Sequence, residues 1–330
     1  MTVKIGQIGI GHNHGAAKMA AVRKRPDLFE IVGFAEDDEA VFAERGNLPQ
    51  YAGLSRLSER ELLDRCDAIL VETGVPQLTA AAQRCLDAGK HIHLDKPASG
   101  TLKDYQKLLN DAEEKQRIVQ LGYMYRYNPG IKKAMELAKT GKLGEITMIN
   151  AEMSTYHGLD YKRWLSGFRG GIFYILGSHL VDLCVSLLGE PQSFTAFMKH
   201  TGFEGVDFAD NTLAVLDYGK ALAKISVSSV EMNGWGRRQL VVSGTKGCVS
   251  ILPIENETCV TYAHPGVSKH PYEDEKEILP IRDIPKDCRY DEMMADFYEY
   301  IMGTKTNPYT YEHEYRVQKV LDAICACDKI

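Results

Sequence analysis

Residues 9–15 read Gly-Ile-Gly-His-Asn-His-Gly and close the first apolar run of the chain. Their types admit two chemistries. Gly9 and Gly11, between a strand and a helix, let backbone N–H groups approach a diphosphate, and Glu36 at the end of the next strand can accept hydrogen bonds from an adenosine ribose. His12 and His14, spaced H-x-H, could instead ligate a metal ion, with His91 and His93 as further ligands. The metal reading is the weaker one. Such sites need three or four convergent groups, and no acidic or histidine-rich cluster follows His93. No metal is therefore expected, and His12, Asn13 and His14 are read as loop residues beside a dinucleotide. One feature departs from G-x-G-x-x-G: the third glycine position holds His14, and Gly15 comes one place later.

Glu36 is followed by Asp37 and Asp38, and no arginine stands beside them in the sequence. Three acids would repel a 2′-phosphate, which favours NAD over NADP. A second group of reactive residues lies at 88–97, AGKHIHLDKP, where a strand ends in Asp95, Lys96 and Pro97. Ligands of doubly wound sheets bind outside the carboxyl ends of the strands, so Lys96 is placed to meet a substrate at the nicotinamide.

These residues need elements to hold them. The apolar run at 3–9, helix at 15–25, strand at 30–36, helices at 37–45 and 58–65, strand at 67–73, helix at 77–88, strand at 91–95, helix at 101–115 and strand at 117–123 alternate. That rhythm predicts a parallel sheet with crossover helices on both faces. After 126 the pattern changes. Helices are expected at 129–139 and 172–188, Tyr123, Tyr125 and Tyr127 alternate like a strand, and 192–262 reads as antiparallel strands separated by glycine turns. Helices at 290–302 and 311–328 close the chain. The fold class is α/β: an amino-terminal Rossmann doubly wound parallel sheet over 1–126, then an α/β domain over 127–330 with a large, open, mainly antiparallel sheet.

Composition narrows the partners. The 330 residues carry a formal net charge of -6, with lysine and arginine scattered rather than clustered, which argues against a nucleic-acid surface. Eight cysteines include no C-x-x-C pair, as expected of reduced thiols in a cytoplasmic protein. No targeting peptide and no apolar run of membrane-spanning length is present, so no membrane partner is expected.

Several motifs in order resemble those of the Gfo/Idh/MocA family (glucose-fructose oxidoreductase, inositol dehydrogenase and rhizopine catabolism proteins). AGKHIHLDKP carries Asp95 where the family has the Glu of E-K-P; GYMYRYNP at 122–129, GKLGEI at 141–146, RW at 163–164, GGIFYILGSHLVDLCVSLLGEP at 170–191 and VSGTKGCVSI at 242–251 follow. The resemblance implies an NAD-dependent dehydrogenase or reductase acting on CH–OH groups of a sugar, cyclitol or related polyhydroxy compound. It also implies a homodimer or homotetramer built through the carboxy-terminal sheet.

By position, the resemblance makes Lys96 the residue that hydrogen-bonds the reacting oxygen and His179 the residue that takes the hydroxyl proton, with Asp182 in support. An imidazole titrates near neutrality and an ammonium stabilises a developing alkoxide, so the types suit the roles. Gly9, Gly11, His12, Asn13, His14, Glu36, Thr73, Asp95 and Lys96 are then cofactor residues, and Lys96, Arg126, Tyr156, Trp164 and His179 face the substrate. Thr73 occupies the family's T-P turn, with Gly74 in place of the proline. The departure is Ile175, which stands where sugar and inositol dehydrogenases carry an aspartate; on a regular helix 175, 179 and 182 share a face. Tyr156, Tyr161 or Tyr174 could supply the missing acid. Otherwise the protein is a lyase or glycosidase that retains its NAD through a transient oxidation, or a catalytically silent nucleotide-binding regulator.

Overall fold

The structure, a computed structural model, describes residues 1–329 except 256–257, 269–274 and 283–287. The chain divides into two compact units, Met1–Met124 with Pro285–Tyr315, and Tyr125–Ile284 with Arg316–Ile330.

In the first unit, β1 (Val3–Ile8), β2 (Phe29–Ala35), β3 (Ala68–Val71), β4 (His91–Leu94) and β5 (Val119–Leu121) form a parallel sheet of order β2-β1-β3-β4-β5. The short apolar runs that read as buried strands are buried: Ala68, Ile69, Leu70 and Val71 are all fully enclosed. Helices α1 (Gly15–Arg23), α2 (Glu39–Arg45), α3 (Glu59–Arg65), α4 (Leu78–Asp87) and α5 (Leu102–Glu114) make the connections. Their starts follow local chemistry. Asp38 caps α2 by accepting from Ala40 and Val41, while Ser58–Glu61 and Thr101–Asp104 form reciprocal capping boxes on α3 and α5. Every crossover returns the chain in the same direction, so the strands end along one edge, where the reactive residues collect.

The second unit holds an eight-stranded sheet of order β13-β12-β11-β10-β6-β9-β8-β7. Its strands are β6 (Ile146–Glu152), β7 (Ser193–Lys199), β8 (Asn211–Asp217), β9 (Leu222–Ser228), β10 (Gln239–Gly244), β11 (Cys248–Ile251), β12 (Val260–Ala263) and β13 (Glu277–Ile278). All pairs are antiparallel except β6 with β9. Thr212, Ala214 and Leu216 alternate inward along β8, as a sheet covered on one face requires. The cover includes α8 (Ser178–Leu188), buried from Ser178 to Val185 and packed on β6 and β9. Helices α6 (Pro129–Lys139) and α7 (Leu159–Leu165) precede it. The expected helix at 172–188 is not regular: Phe173–Gly177 forms a π-helical turn before α8 starts. Tyr123, Tyr125 and Tyr127 do not alternate along a strand either. All three are buried, and Met124–Tyr127 is a single 3-10 turn.

The last helices are α9 (Asp291–Met302) and α10 (Tyr311–Cys325). A cut at 126 does not describe this chain, because Pro285–Tyr315 returns to the first unit. There α9 packs on α1, Lys24 Nζ lies 3.1 Å from the Asp291 carboxylate, and Gln120 Nε2 donates to the Met293 carbonyl at 3.1 Å. Contacts so distant in sequence leave no local signal. No helix among the described residues is long and apolar enough to cross a membrane.

Leu70 sits in the central strand β3 with no exposed surface. Leu70→Ala should destabilise the protein by about 2–5 kcal/mol through lost transfer energy and a residual cavity, measured by urea unfolding followed by circular dichroism.

Candidate active site

Gly9 leaves β1 at φ +81°, and a Cβ there would stand 2.5 Å from the Thr73 backbone nitrogen and Cα. Only glycine allows the β1 turn to press against the end of β3 in this way. At the start of α1, His14 does not hold the helix away from the sheet. Gly15 makes the close approach, since a Cβ there would meet Gln7 Nε2 at 3.0 Å and Glu72 Cβ at 3.2 Å. The packing function of the third glycine has moved one position along, which frees position 14 for a polar side chain.

That side chain is used. His12 Nδ1 and His14 Nδ1 lie 2.9 and 3.2 Å from Asp95 Oδ2, and Asp95 Oδ1 accepts the Lys96 backbone N–H at 2.6 Å. Behind them, fully buried, Lys18 Nζ reaches Asp95 Oδ2 at 2.6 Å and Glu72 Oε1 at 2.7 Å. Burial raises the Asp95 pKa, but His12, Lys18 and His14 outweigh it and hold the carboxyl well below its usual range. Glu72 goes the other way, pushed well above the carboxylate range by burial against the pull of Lys18 and with the push of Asp95. Burial lowers His14 to about 4 in spite of Asp95.

His12, His14 and Asp95 bring one ligand atom each within 4.8 Å of one another, a set that could hold a metal ion. The ammonium of Lys18 already stands against the same carboxylate oxygen. A divalent cation bound to that oxygen would face an ammonium across one atom, a repulsion that favours the histidines as hydrogen-bonding groups.

The adjoining cleft, about 880 Å³, is lined by Gly9, Gly11, Glu36, Thr73, Gly74 and Gln77 among others. Glu36 follows β2 and is fixed there: its carboxylate accepts the Ile10 N–H at 2.9 Å and the Asp38 N–H at 3.0 Å. Asn13 is held from behind, its side-chain oxygen accepting from Arg45, which also donates to the carbonyls of Ile10 and His12. Arginines absent beside Glu36 in the sequence are present in space. Arg56 donates to the Glu36 carbonyl and to Glu39 and lies 4.0 Å over the Phe42 ring; Arg84 lines the cleft in a paired contact with Glu59.

In the second unit, His179 is buried in the first turn of α8 with the Tyr125 ring edge-on at 4.7 Å. Asp182, one turn on, receives Arg126, with Nη2 to Oδ1 at 2.6 Å and Nε to Oδ2 at 3.0 Å, both side chains buried. Arg126 is thus engaged by an ion pair within its own unit. Ile175 lies in the π-helical turn, where residues five apart come into register, so the α-helical face shared by 175, 179 and 182 is broken at its first member. Arg238 ties the β6–α7 loop to this wall, donating to Thr155 Oγ1, to Tyr125 Oη at 3.0 Å and to Glu255 at 2.7 Å, while Tyr125 also donates to Glu255. Trp164 belongs to an aromatic row: Tyr161 stacks on His157 at 4.4 Å, and Trp164 follows at 5.0 Å from Tyr161 and 4.8 Å from Phe168. Tyr156 stands apart from that row against Phe203, with Lys162 Nζ 4.6 Å over its ring. Tyr174 stacks on Phe168, and burial pushes its phenol up, so it holds its proton at neutral pH.

Lys18, Glu72, Arg45, Tyr125 and Arg238 are the residues the sequence did not point to. A faint signal existed for Lys18 alone, a lysine within the small apolar run GAAKMAAV that must face the sheet on an amphipathic helix.

Residues 3–123 match the model of an oxidoreductase family with an NAD-binding Rossmann fold, and residues 131–250 match the GFO/IDH/MocA C-terminal domain. An uncharacterized oxidoreductase of Schizosaccharomyces pombe is 24% identical over 260 residues, 74% of this chain and 69% of that protein. The scyllo-inositol 2-dehydrogenase (NADP(+)) IolW of Bacillus subtilis is 29% identical over 150 residues, 44% of this chain and 41% of that protein. Among solved structures, UDP-N-acetylglucosamine 3-dehydrogenase GnnA of Acidithiobacillus ferrooxidans superposes with a TM-score of 0.80 at 18% identity, over 99% of this chain and 97% of that one, a likeness of fold.

His14 is neutral in the folded protein down to about pH 4, whereas in the unfolded chain it takes a proton below about 6.5. Its contribution to stability is therefore present above pH 6.5 and lost as pH falls toward 4. The thermal midpoint of His14→Asn should fall less steeply over that interval than that of the unaltered protein, measured by differential scanning calorimetry.

Proposed function

The chain belongs to the Gfo/Idh/MocA family of oxidoreductases, and from that premise we propose that it transfers a hydride between NAD and a CH–OH carbon of a sugar, cyclitol or related polyhydroxy compound. The observation that carries this reading is the edge of the parallel sheet. A turn only glycine can make at Gly9 opens on the dinucleotide cleft, and the strand end two places along in the sheet delivers Lys96.

The residues fit the cofactor. The Gly9–Gly11 turn, where no Cβ blocks the approach, and the positive end of α1 suit the diphosphate, and the Glu36 carboxylate, held by two backbone N–H groups, suits the adenosine ribose. When bound, NAD supplies the hydride acceptor. Lys96 directs its ammonium to the reacting oxygen and lowers the energy of the developing alkoxide. His179 receives the hydroxyl proton, its ring held edge-on by Tyr125. Arg126 and Asp182 fix each other one turn along α8 and keep that wall rigid.

NAD is preferred to NADP in this reading. Glu36, Asp37 and Asp38 line the cleft, and Arg56 and Arg84 are each matched by a glutamate, leaving no surplus positive charge for a 2′-phosphate. IolW, a relative, is named for NADP(+), the opposite choice. Ile175 supports a second reading, an NAD-retaining lyase or glycosidase, because the aspartate expected of a simple polyol dehydrogenase is replaced by an apolar side chain. Self-association through the open face of the eight-stranded sheet, where Phe197 and Leu222 are exposed, completes the proposal.

Titration of metal-free protein with NADH and then NADPH, followed by nicotinamide fluorescence, should give saturable binding with preference for NADH. No binding of either to folded, nucleotide-free protein overturns the oxidoreductase reading. With a turned-over polyol, Lys96→Met should lower kcat by about 10²–10⁴-fold while changing NADH affinity far less. Turnover without net NADH release would select the lyase or glycosidase instead.

A further inference from the structure

Three strands of the parallel sheet end in carboxylates, and two of these, Glu72 after β3 and Asp95 after β4, are fully buried behind the turn that receives the diphosphate. Placing negative charge behind an anion site opposes binding unless something cancels it. The cancelling group is Lys18, on the buried side of α1, with its ammonium 2.7 Å from Glu72 and 2.6 Å from Asp95. Space is kept for it by Gly122, where a Cβ would stand 2.9 Å from Lys18 Nζ and 3.1 Å from Asp95 Oδ1.

Asp95 and Glu72 belong to segments on which the cofactor reading depends. Asp95 receives the Lys96 N–H and faces both turn histidines. The Glu72 carbonyl accepts the His12 N–H at 3.0 Å, and Thr73, next in sequence, is the residue against which Gly9 is pressed. Besides the two turn histidines, the titratable groups around the cluster are His93 on β4, neutral through burial and the nearby Lys18, Lys96 itself, and Tyr51, whose hydroxyl accepts from Gln7.

Resting on the dinucleotide reading above, we propose that Lys18 is the positioning residue of the diphosphate site. It cancels the Asp95 charge and hydrogen-bonds Glu72, so that both residues hold the β1 turn and the Lys96 strand end in place, without itself touching the ligand.

The test compares Lys18→Met with the unaltered protein by calorimetry, using NADH, ADP-ribose and adenosine as probes. Lys18→Met should bind NADH and ADP-ribose about 10- to 100-fold more weakly at pH 8, with adenosine unaffected. Lys18→Met/Asp95→Asn, which deletes both members of the pair, should regain most of the lost affinity, and it decides the matter alone if the single variant does not fold. Equal loss of adenosine and NADH, or no recovery in the double variant, overturns the proposal. Unaltered protein that binds none of the three probes overturns the dinucleotide reading itself, and this one with it.

Discussion

Glu36, Glu72 and Asp95 each follow a strand of the same parallel sheet, so the edge built to receive an anionic cofactor is lined with acids. The arrangement holds only because each carboxylate has a defined answer. Glu36 is satisfied by two backbone N–H groups, and Glu72 and Asp95 share the ammonium of Lys18. Breaking a buried ion pair by removing one partner is far more costly than never having formed it, which makes these contacts the least tolerant part of the unit. The turn geometry, the place of Lys96 and the orientation of both histidines all depend on them.

The second unit solves a related problem with different parts. Two buried guanidinium groups, Arg126 on Asp182 and Arg238 on Glu255, fix the surroundings of His179 by planar, multiply bonded contacts. Arg238 also reaches Thr155, so the loop that carries Tyr156 and His157 is joined to the wall against which His179 rests. The π-helical turn before α8 shifts the register by one residue just where the chain departs from the family's aspartate. Such turns often accompany functional sites because the extra residue re-aims a side chain.

The two chemistries offered by Gly9–Gly15 differ in what surrounds them. The histidines do converge, as a metal pair would, yet they converge on a carboxylate that already holds an ammonium. Glycine does make the close approach a dinucleotide turn needs, but through Gly9 and Gly15 rather than at position 14. A motif read strictly by spacing places the packing glycine one residue early. What physical packing requires is a residue without a Cβ where the helix meets the sheet, and either position can satisfy it.

The sequence alone determined most element types, though not the 3-10 turn at Met124–Tyr127 or the π-helical turn at Phe173–Gly177, along with the parallel sheet, the antiparallel character of most of the second sheet and the family. Local rules govern these: apolar periodicity, capping residues such as Asp38, Ser58 and Thr101, and motif order along the chain. It also put the nine residues expected to face a dinucleotide at strand ends of the first sheet, which in a parallel sheet must share an edge. Only the tertiary structure decided the rest. Lys18 meets carboxylates 54 and 77 positions away, Arg45 reaches back to the β1 turn, Arg238 meets Tyr125 across 113 positions, and α9 returns to α1. Charge pairing and packing between such distant segments depend on distances in space, and a single sequence holds no record of these until the chain is folded.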